Sequence, residues 1–327
     1  MRAAVIREWG GPENLAIETV SDPVPREGEV VVDLRATSLN WHDVIVRQSG
    51  RGAETPSILG MDGAGIRTDT GEAVVIYPCL GWVKDSATPS AELSVIGDAT
   101  DGTYAQRIAV PSVNLLPKPT HLSWEEAAAL PCAGLTAYRA VSTRAQLRSG
   151  ETVLVAGAGS GVSTFAVQYG AAVGARVIVT SSSAAKIESA QSFGAVRGFL
   201  YTDPDWVRQV RDATNGGVDV VISGAGSTLA HSIACLAPGG RVVVYGSSAG
   251  RSATIDVPPL YFGQLSVLGT TMGSPTEFAA MLDLVVEHRL RPIIDSVHLL
   301  DDIATAHRRQ ESSEHMGKVV ITLNTSK

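Results

Sequence analysis

Apolar and polar positions alternate in two different rhythms along the chain, and the change of rhythm divides it. Up to about residue 118, apolar runs of strand length (3–6, 15–19, 29–36, 73–77 and 102–110) are separated by turns rich in Gly, Pro and Asp. Ser21-Asp22-Pro23-Val24-Pro25 and Pro117-Lys118-Pro119 are stiff connectors that cannot continue a ladder. In this half, Asn40-Trp41-His42-Asp43 predicts the start of a short helix, and residues 59–65 (LGMDGAG) predict a tight turn. From Ser123 the rhythm lengthens. Ser123 followed three residues later by Glu126 predicts a capping box ahead of an Ala-rich helix, and a second helix is expected over 135–148. Strands expected at 152–156, 175–180, 198–201, 218–223, 241–245 and 266–271 then alternate with helices at 162–173, 184–193, 206–214 and 227–236. Six strands, mostly continuous in Val and Ile and separated by helices, predict a parallel doubly wound sheet. The tail adds helices at 275–289 and 301–311 and a strand at 318–323. The expected class is α/β, a β-rich stretch followed from Ser123 by an alternating one.

Composition narrows the function classes. The chain has 327 residues, 44% of them hydrophobic and 18% charged, enough for two domains with substantial cores. A net charge of −7 argues against a nucleic-acid or anionic-membrane partner. Cys79, Cys132 and Cys235 lie far apart with no CxxC pair, which supports neither a disulfide framework nor a cysteine-rich zinc lobe. The opening MRAAVIREWGGPE has no apolar leader, and no run of 18 apolar residues occurs, so a cytoplasmic protein is expected.

The densest signal is Thr152 to Ser163, TVLVAGAGSGVS, where a buried strand runs into a glycine-rich turn that opens a helix. Val162, Phe165, Ala166, Tyr169 and Val173 recur at helical spacing. Such a turn lets backbone approach a dinucleotide pyrophosphate and point free N–H groups at it. The match to G-x-G-x-x-G is partial: Gly157 and Gly159 are in place, and Val162 holds the third glycine position. The second strand of the unit ends in Ser181-Ser182-Ser183, where an NAD enzyme usually carries an acid for the ribose 2′-hydroxyl. Small hydroxyls leave room for a 2′-phosphate, and Lys186 could neutralise it, which favours NADPH; the competing reading is a helix cap beside a solvated lysine. Gly224, Gly246 and Ser247 follow later strands, where ligand approach at the carboxyl edge requires small residues. Gly246-Ser247-Ser248-Ala249-Gly250 also matches the hydrolase elbow G-x-S-x-G. RSATIDVPP follows it in place of the helix that an elbow needs.

Taken together, MRAAVIREWGGPENL, SLNWHDV, ILGMDGAG, DGTYAQRIAVP, LSWEEAAALPCAGLTAYRAV, GETVLVAGAGSGVSTFAVQ, LAPGGRVVVYGSSAG and HMGKVVIT span nearly the full length in order. In these stretches the chain resembles the medium-chain dehydrogenase/reductase superfamily, in its zinc-independent, quinone oxidoreductase-like branch. The resemblance implies a GroES-like catalytic domain (1–122 with 271–327) and a Rossmann NADP-binding domain (123–270). The family's A-x-x-G-x-x-G turn aligns with Ala158, Gly161 and Ser163, the last in place of glycine, so Ala158, Gly159, Ser160, Gly161 and Val162 are implied on the pyrophosphate. Thr136 matches the nicotinamide contact. Ser181, Ser182, Lys186 and Tyr201 fall at the 2′-phosphate end, and Gly224, Gly246, Ser247 and Thr270 along the strand ends.

In zinc-dependent relatives the ligands are a Cys, a His or its neighbouring Glu, and a second Cys. Carried onto this chain they fall on Asn40, on Met61-Asp62 and on Cys132, and three good ligands are not available. No metal is therefore expected. Without a Lewis acid, hydride addition to an activated C=C bond or a quinone asks least of the protein. The expected function is an NADPH-dependent reductase of a quinone, an enone or alkenal, or an enoyl thioester. The expected partner is a small electrophile, with Asn40 and His42 as the catalytic candidates. Two other readings stay open: an NADPH-binding protein with little turnover, and a zinc-type alcohol dehydrogenase. A homodimer or homotetramer is expected, with the apolar edge at 266–271 one candidate contact.

Overall fold

The strands expected from the alternation form, with shifted ends, in a computed structural model that describes residues 1–50, 54–83, 85–98 and 100–323. Two compact units result: Met1–Leu135 with Gly273–Lys327, and Thr136–Met272. The junctions fall later than the 122/123 and 270/271 boundaries that the resemblance implied. The capped helix Trp124–Ala128 packs on the Glu29–Ser38 and Asp62–Arg67 strands and so belongs to the first unit.

The first unit is β-rich. Its seven-stranded sheet runs in the order Leu115–Pro117, Ala73–Ile76, Asp62–Arg67, Glu29–Ser38, Lys318–Thr322 and Ile294–Leu299, and Arg107–Pro111 pairs with Glu29–Ser38 off this path. The C-terminal strand thus adds to the N-terminal sheet, antiparallel to Glu29–Ser38 with Val320 opposite Ser38. Leu34, Leu59, Ile76, Tyr104, Val319 and Ile321 are among its core residues.

Residues 59–65 are not the tight turn expected. Asp62–Arg67 is a buried strand with Asp62 opposite Ser38. Its glycines misled the reading because packing, not turning, requires them. A Cβ on Gly65 would stand 2.3 Å from the Asp33 carbonyl oxygen, and one on Gly63 would crowd Ile76, Leu34 and Thr103.

The second unit is a six-stranded, all-parallel sheet in the order Ala195–Leu200, Arg176–Ser181, Thr152–Ala156, Val218–Ser223, Leu236–Val244 and Ser266–Gly269. Numbered along the chain this is 3-2-1-4-5-6, the doubly wound dinucleotide-binding order. Leu154, Ile178, Phe199, Val210, Val221 and Val242 build one of its cores. The helix expected over 135–148 begins earlier, as Pro131–Tyr138. It continues over Arg139–Arg144 as a wider turn in which the Ala145 N–H reaches back five residues to Ala140. Among the elements that went unforeseen are the short helix Val257–Phe262 and the strands Leu115–Pro117 and Ile294–Leu299. Among the described residues no helix is long and apolar enough to cross a membrane.

Candidate active site

In the first unit the ends of three adjacent strands gather a buried charged network. Asp62 begins its strand, Ser38 ends the neighbouring one, and Lys318 begins the C-terminal strand beyond it. Extending the antiparallel register from Val320–Ser38 brings Lys318 level with Asn40. Lys318 Nζ donates to the Leu39 carbonyl oxygen (2.7 Å), Asn40 Oδ1 (2.6 Å) and Asp62 Oδ2 (3.0 Å). All three ammonium protons are thereby used. Asp62 Oδ2 also accepts from Ser38 Oγ (2.7 Å) and Asn40 Nδ2 (2.8 Å), while Oδ1 accepts from the Cys132 N–H (2.8 Å). Asp62 and Lys318 are both buried, so each charge depends on the other for compensation. The Cys132 thiol is pushed well above its usual range by burial first and by the Asp62 charge second, so it stays neutral.

Asn40 also caps the helix Trp41–Ser49. Its N–H donates to Asp43 Oδ2 (2.7 Å), which also accepts from the Tyr104 hydroxyl (3.1 Å). Asp43 is buried, and its carboxyl is raised to about 6, chiefly by desolvation. His42, two residues into the chain from Asn40, pairs instead with Asp98 (Nε2 to Oδ1, 2.9 Å). No contact among the described residues joins it to the Asn40 network. Tyr77 and Trp82 are scaffold: the Tyr77 hydroxyl donates to the Gly273 carbonyl oxygen (2.7 Å), and Trp82 Nε1 to that of Ser86 (3.1 Å). A groove of about 960 Å³ in this unit, lined in part by Val20, Asp22, Pro56, Asp98 and Arg107, is a separate feature that includes none of Asn40, Asp62 and Lys318.

In the second unit the glycine turn leaves the Thr152–Ala156 strand at Gly157, whose φ of +81° and open surroundings suit a backbone that approaches a ligand. The helix Gly161–Ala172 starts on Ser160, whose hydroxyl accepts the Ser163 N–H (3.1 Å). Ser163 is fully buried, and its own hydroxyl is spent on Ser160 (2.9 Å). The serine in the last glycine position therefore serves the helix cap. At Gly159 a Cβ would stand 2.8 Å from Lys186 Nζ, so the lysine chain crosses the turn. Thr270 has a buried hydroxyl with no hydrogen-bond partner among the described residues, an open polar position at the carboxyl edge of the sheet.

The family profiles settle the relationship. One described as alcohol dehydrogenase GroES-like domain matches residues 26–120, and one described as zinc-binding dehydrogenase matches 161–287. A zinc-type alcohol dehydrogenase-like protein of Schizosaccharomyces pombe is 34% identical, covering 99% of each chain. The chain belongs to the medium-chain dehydrogenase/reductase superfamily. A quinone oxidoreductase of Lama guanicoe is 30% identical over 99% of this chain and 98% of its own. The crystal structure of an NAD-dependent alcohol dehydrogenase superposes with a TM-score of 0.93 at 37% identity, covering 99% of this chain and all of the other. The protein is thus an oxidoreductase of this superfamily, whose members bind nicotinamide cofactors.

Against that background the expected cofactor residues divide. Ala158, Gly159, Ser160, Gly161 and Val162 form the turn and the first residues of its helix, and Lys186 spans the turn. Ser181 is buried, with its hydroxyl accepting the Ser183 N–H (3.1 Å), while Ser182 is exposed. Ser183 caps the next helix, so the capping role holds for one serine of the three. Tyr201 is half-exposed, its N–H bonded to the Ser181 carbonyl oxygen (3.0 Å). Thr136 is buried, with its hydroxyl against Met272 Sδ (3.8 Å). Gly246 and the exposed Ser247 follow the Leu236–Val244 strand. At Gly224 a Cβ would stand 2.6 Å from the Tyr245 ring, so the chain's own packing also requires a glycine there.

The zinc-ligand positions of the dehydrogenase pattern carry a different donor set here. Among the described residues no three His, Cys, Asp or Glu side chains converge as metal ligands. Asp62, the one strong oxygen ligand, already holds an ammonium ion, which would repel a divalent cation. Sequence reading found Asn40, Asp62 and Cys132 but missed Lys318. A lysine opening a terminal strand carries no local sign that it is buried.

Proposed function

We propose that this chain is an NADPH-dependent reductase that transfers hydride, without a metal, to a quinone, an enone or alkenal, or an enoyl thioester. One observation carries the reading: the Lys318 ammonium sits among Asn40, Asp62 and the Leu39 carbonyl, where a zinc-type enzyme would need metal ligands. With no Lewis acid to take up alkoxide charge, alcohol oxidation loses its main stabilisation, whereas a conjugated acceptor spreads its charge onto an oxygen that N–H donors can hold. The quinone oxidoreductase relative supports this chemistry.

The second unit would hold the cofactor. The turn from Gly157 to Val162 and the helix N-terminus would take the pyrophosphate, with Thr270 free to bond further along. Lys186, with Ser182 and Tyr201, would take the 2′-phosphate. The absence of an acid at Ser181–Ser183 favours NADPH even though the NAD-dependent structural relative is similar in fold. Bound reduced nicotinamide supplies the hydride. The remaining Asn40 N–H donates to the acceptor oxygen as charge builds, and the final proton comes from His42 or from water. Tyr261, Phe262 and Val267 are exposed near the free edge of the parallel sheet and would pair with a second copy.

The test is a screen of 1,2-quinones, alkenals and enoyl-CoA analogues that follows NADPH absorbance. Tight NADPH binding without turnover of any of them would instead mark a binding protein. One tightly held zinc per chain by elemental analysis would restore the alcohol dehydrogenase reading.

A further inference from the structure

The Asn40 carboxamide has two faces that could be exchanged by a half-turn of its last bond, and only one arrangement suits its surroundings. Its oxygen lies 2.6 Å from an ammonium, which can only donate, and its nitrogen 2.8 Å from a carboxylate, which can only accept. Turning it would set two donors against each other and two acceptors against each other. One N–H goes to Asp62, and no described residue takes the other. Asn40 is 8% exposed and sits at the edge of the buried network. Lys318 itself has no proton left for a ligand, because Leu39, Asn40 and Asp62 take all three.

We propose that Lys318 is a positioning residue for the reaction. Its ammonium locks the Asn40 carboxamide so that one N–H is always presented to the acceptor oxygen. The proposal rests on the reductase reading above, since only there does a fixed donor beside the acceptor oxygen matter. Preorganisation is the source of the effect: a donor that need not turn as charge appears costs nothing at that moment. A lysine that merely neutralised Asp62 would leave that carboxylate as the amide's single orienting partner. Lys318 fixes the oxygen end of the amide as Asp62 fixes the nitrogen end, and the lock needs both contacts.

The experiment is a double-mutant cycle on the full chain with NADPH and a reducible quinone. Lys318→Met should lower kcat by roughly tenfold to a hundredfold, in the range of a lost oxyanion donor or somewhat below it. The NADPH Kd should stay within about twofold, because the residues assigned to the cofactor lie in the other unit. Asn40→Ala should lower kcat by at least as much, and the double variant should fall no further than Asn40→Ala alone. Lys318→Arg, which keeps the charge, should recover part of the loss. If the Lys318→Met and Asn40→Ala effects multiply, the lock does not exist.

A second readout does not need turnover. With ¹⁵N-labelled asparagine, the Asn40 side-chain pair, assigned by its loss in Asn40→Ala, should show one slowly exchanging proton and one fast. Lys318→Met should speed exchange of the slow proton, because Asp62 alone then orients the amide. Should Lys318→Met fail to fold with Asp62 left unpaired, Lys318→Met combined with Asp62→Asn removes both charges and should show the same loss. If the wild-type chain reduces none of the acceptors, the functional reading fails, and the amide spectra alone decide: unchanged protection in the lysine variants overturns the lock.

Discussion

The residue expected to make this protein acid-sensitive is His307, on the helix Ile303–Glu311. It is fully buried, and neither ring nitrogen has a hydrogen-bond partner among the described residues. Tyr104 meets it edge-on at 5.7 Å, and the buried Arg47 guanidinium lies close enough to repel a second positive charge. Burial, helped by Arg47, drives its pKa down to about 3. The folded chain therefore keeps His307 neutral while the unfolded chain protonates it below about 6.5. Stability from this residue is whole above that value, falls through the window down to about 3, and is flat below it. Between pH 7 and pH 5 the loss comes to about 2 kcal/mol by proton linkage.

Asp43, joined to the same Tyr104 by its hydroxyl, works in the other direction. Its folded pKa of about 6 lies above the usual carboxylate value, so protonation on acidification relieves a buried charge. Over the same interval that returns about 1.3 kcal/mol, leaving the wild type a net change below about 1 kcal/mol. The wild-type curve alone would therefore hide the effect. His307→Leu isolates it, because the packing change is independent of pH and Asp43 contributes to both proteins. The stability of the variant relative to wild type should rise by about 2 kcal/mol between pH 7 and pH 5, read from urea unfolding at fixed ionic strength. A difference that stays constant across those pH values would refute the reasoning.

Four further outcomes are expected. Lys186→Ala should weaken NADPH binding about tenfold to a hundredfold and leave NADH binding unchanged, measured by fluorescence titration, since one charge-assisted contact is removed; an unchanged ratio of the two affinities sinks the phosphate assignment. Ser163→Gly restores the family glycine yet should lose about 1 kcal/mol of stability with no gain in cofactor affinity, because its hydroxyl serves the Ser160 cap. Prolonged dialysis against a chelator should leave quinone reduction intact, and a loss that zinc restores would contradict the metal-free mechanism. Val267→Lys should shift the oligomer toward monomer in sedimentation velocity, while an unchanged state would mean that this edge is not the contact.

Most of the parallel sheet was legible because its signal is local. Val218–Ser223 and Thr152–Ala156 are unbroken apolar runs between turns, and each end was placed to the residue. Strand ends drifted where pairing, which periodicity cannot show, sets the length. Leu236–Val244 starts five residues early because Leu236 pairs with Val218 ahead of an irregular step. Asp62–Arg67 was misread for a related reason. Glycine in sequence signals a turn, while Gly65 lies where the Asp33 backbone leaves no room for a side chain.

At the candidate site the changed donor set was legible in the sequence, and the cation that pairs with it was not. Asn40 and Met61 in the zinc-ligand positions announce a changed donor set from the sequence alone. A buried Asp62 without a cation would be untenable, so a counter-charge had to exist somewhere. Sequence could not say where, because the partner is 256 positions away and meets Asp62 only through the register of the C-terminal strand on Glu29–Ser38. That register gives the closing segment a chemical reason to belong to the first unit. The last strand completes a sheet, and it also carries the one ammonium that makes the charge on Asp62 tolerable and the orientation of Asn40 unique.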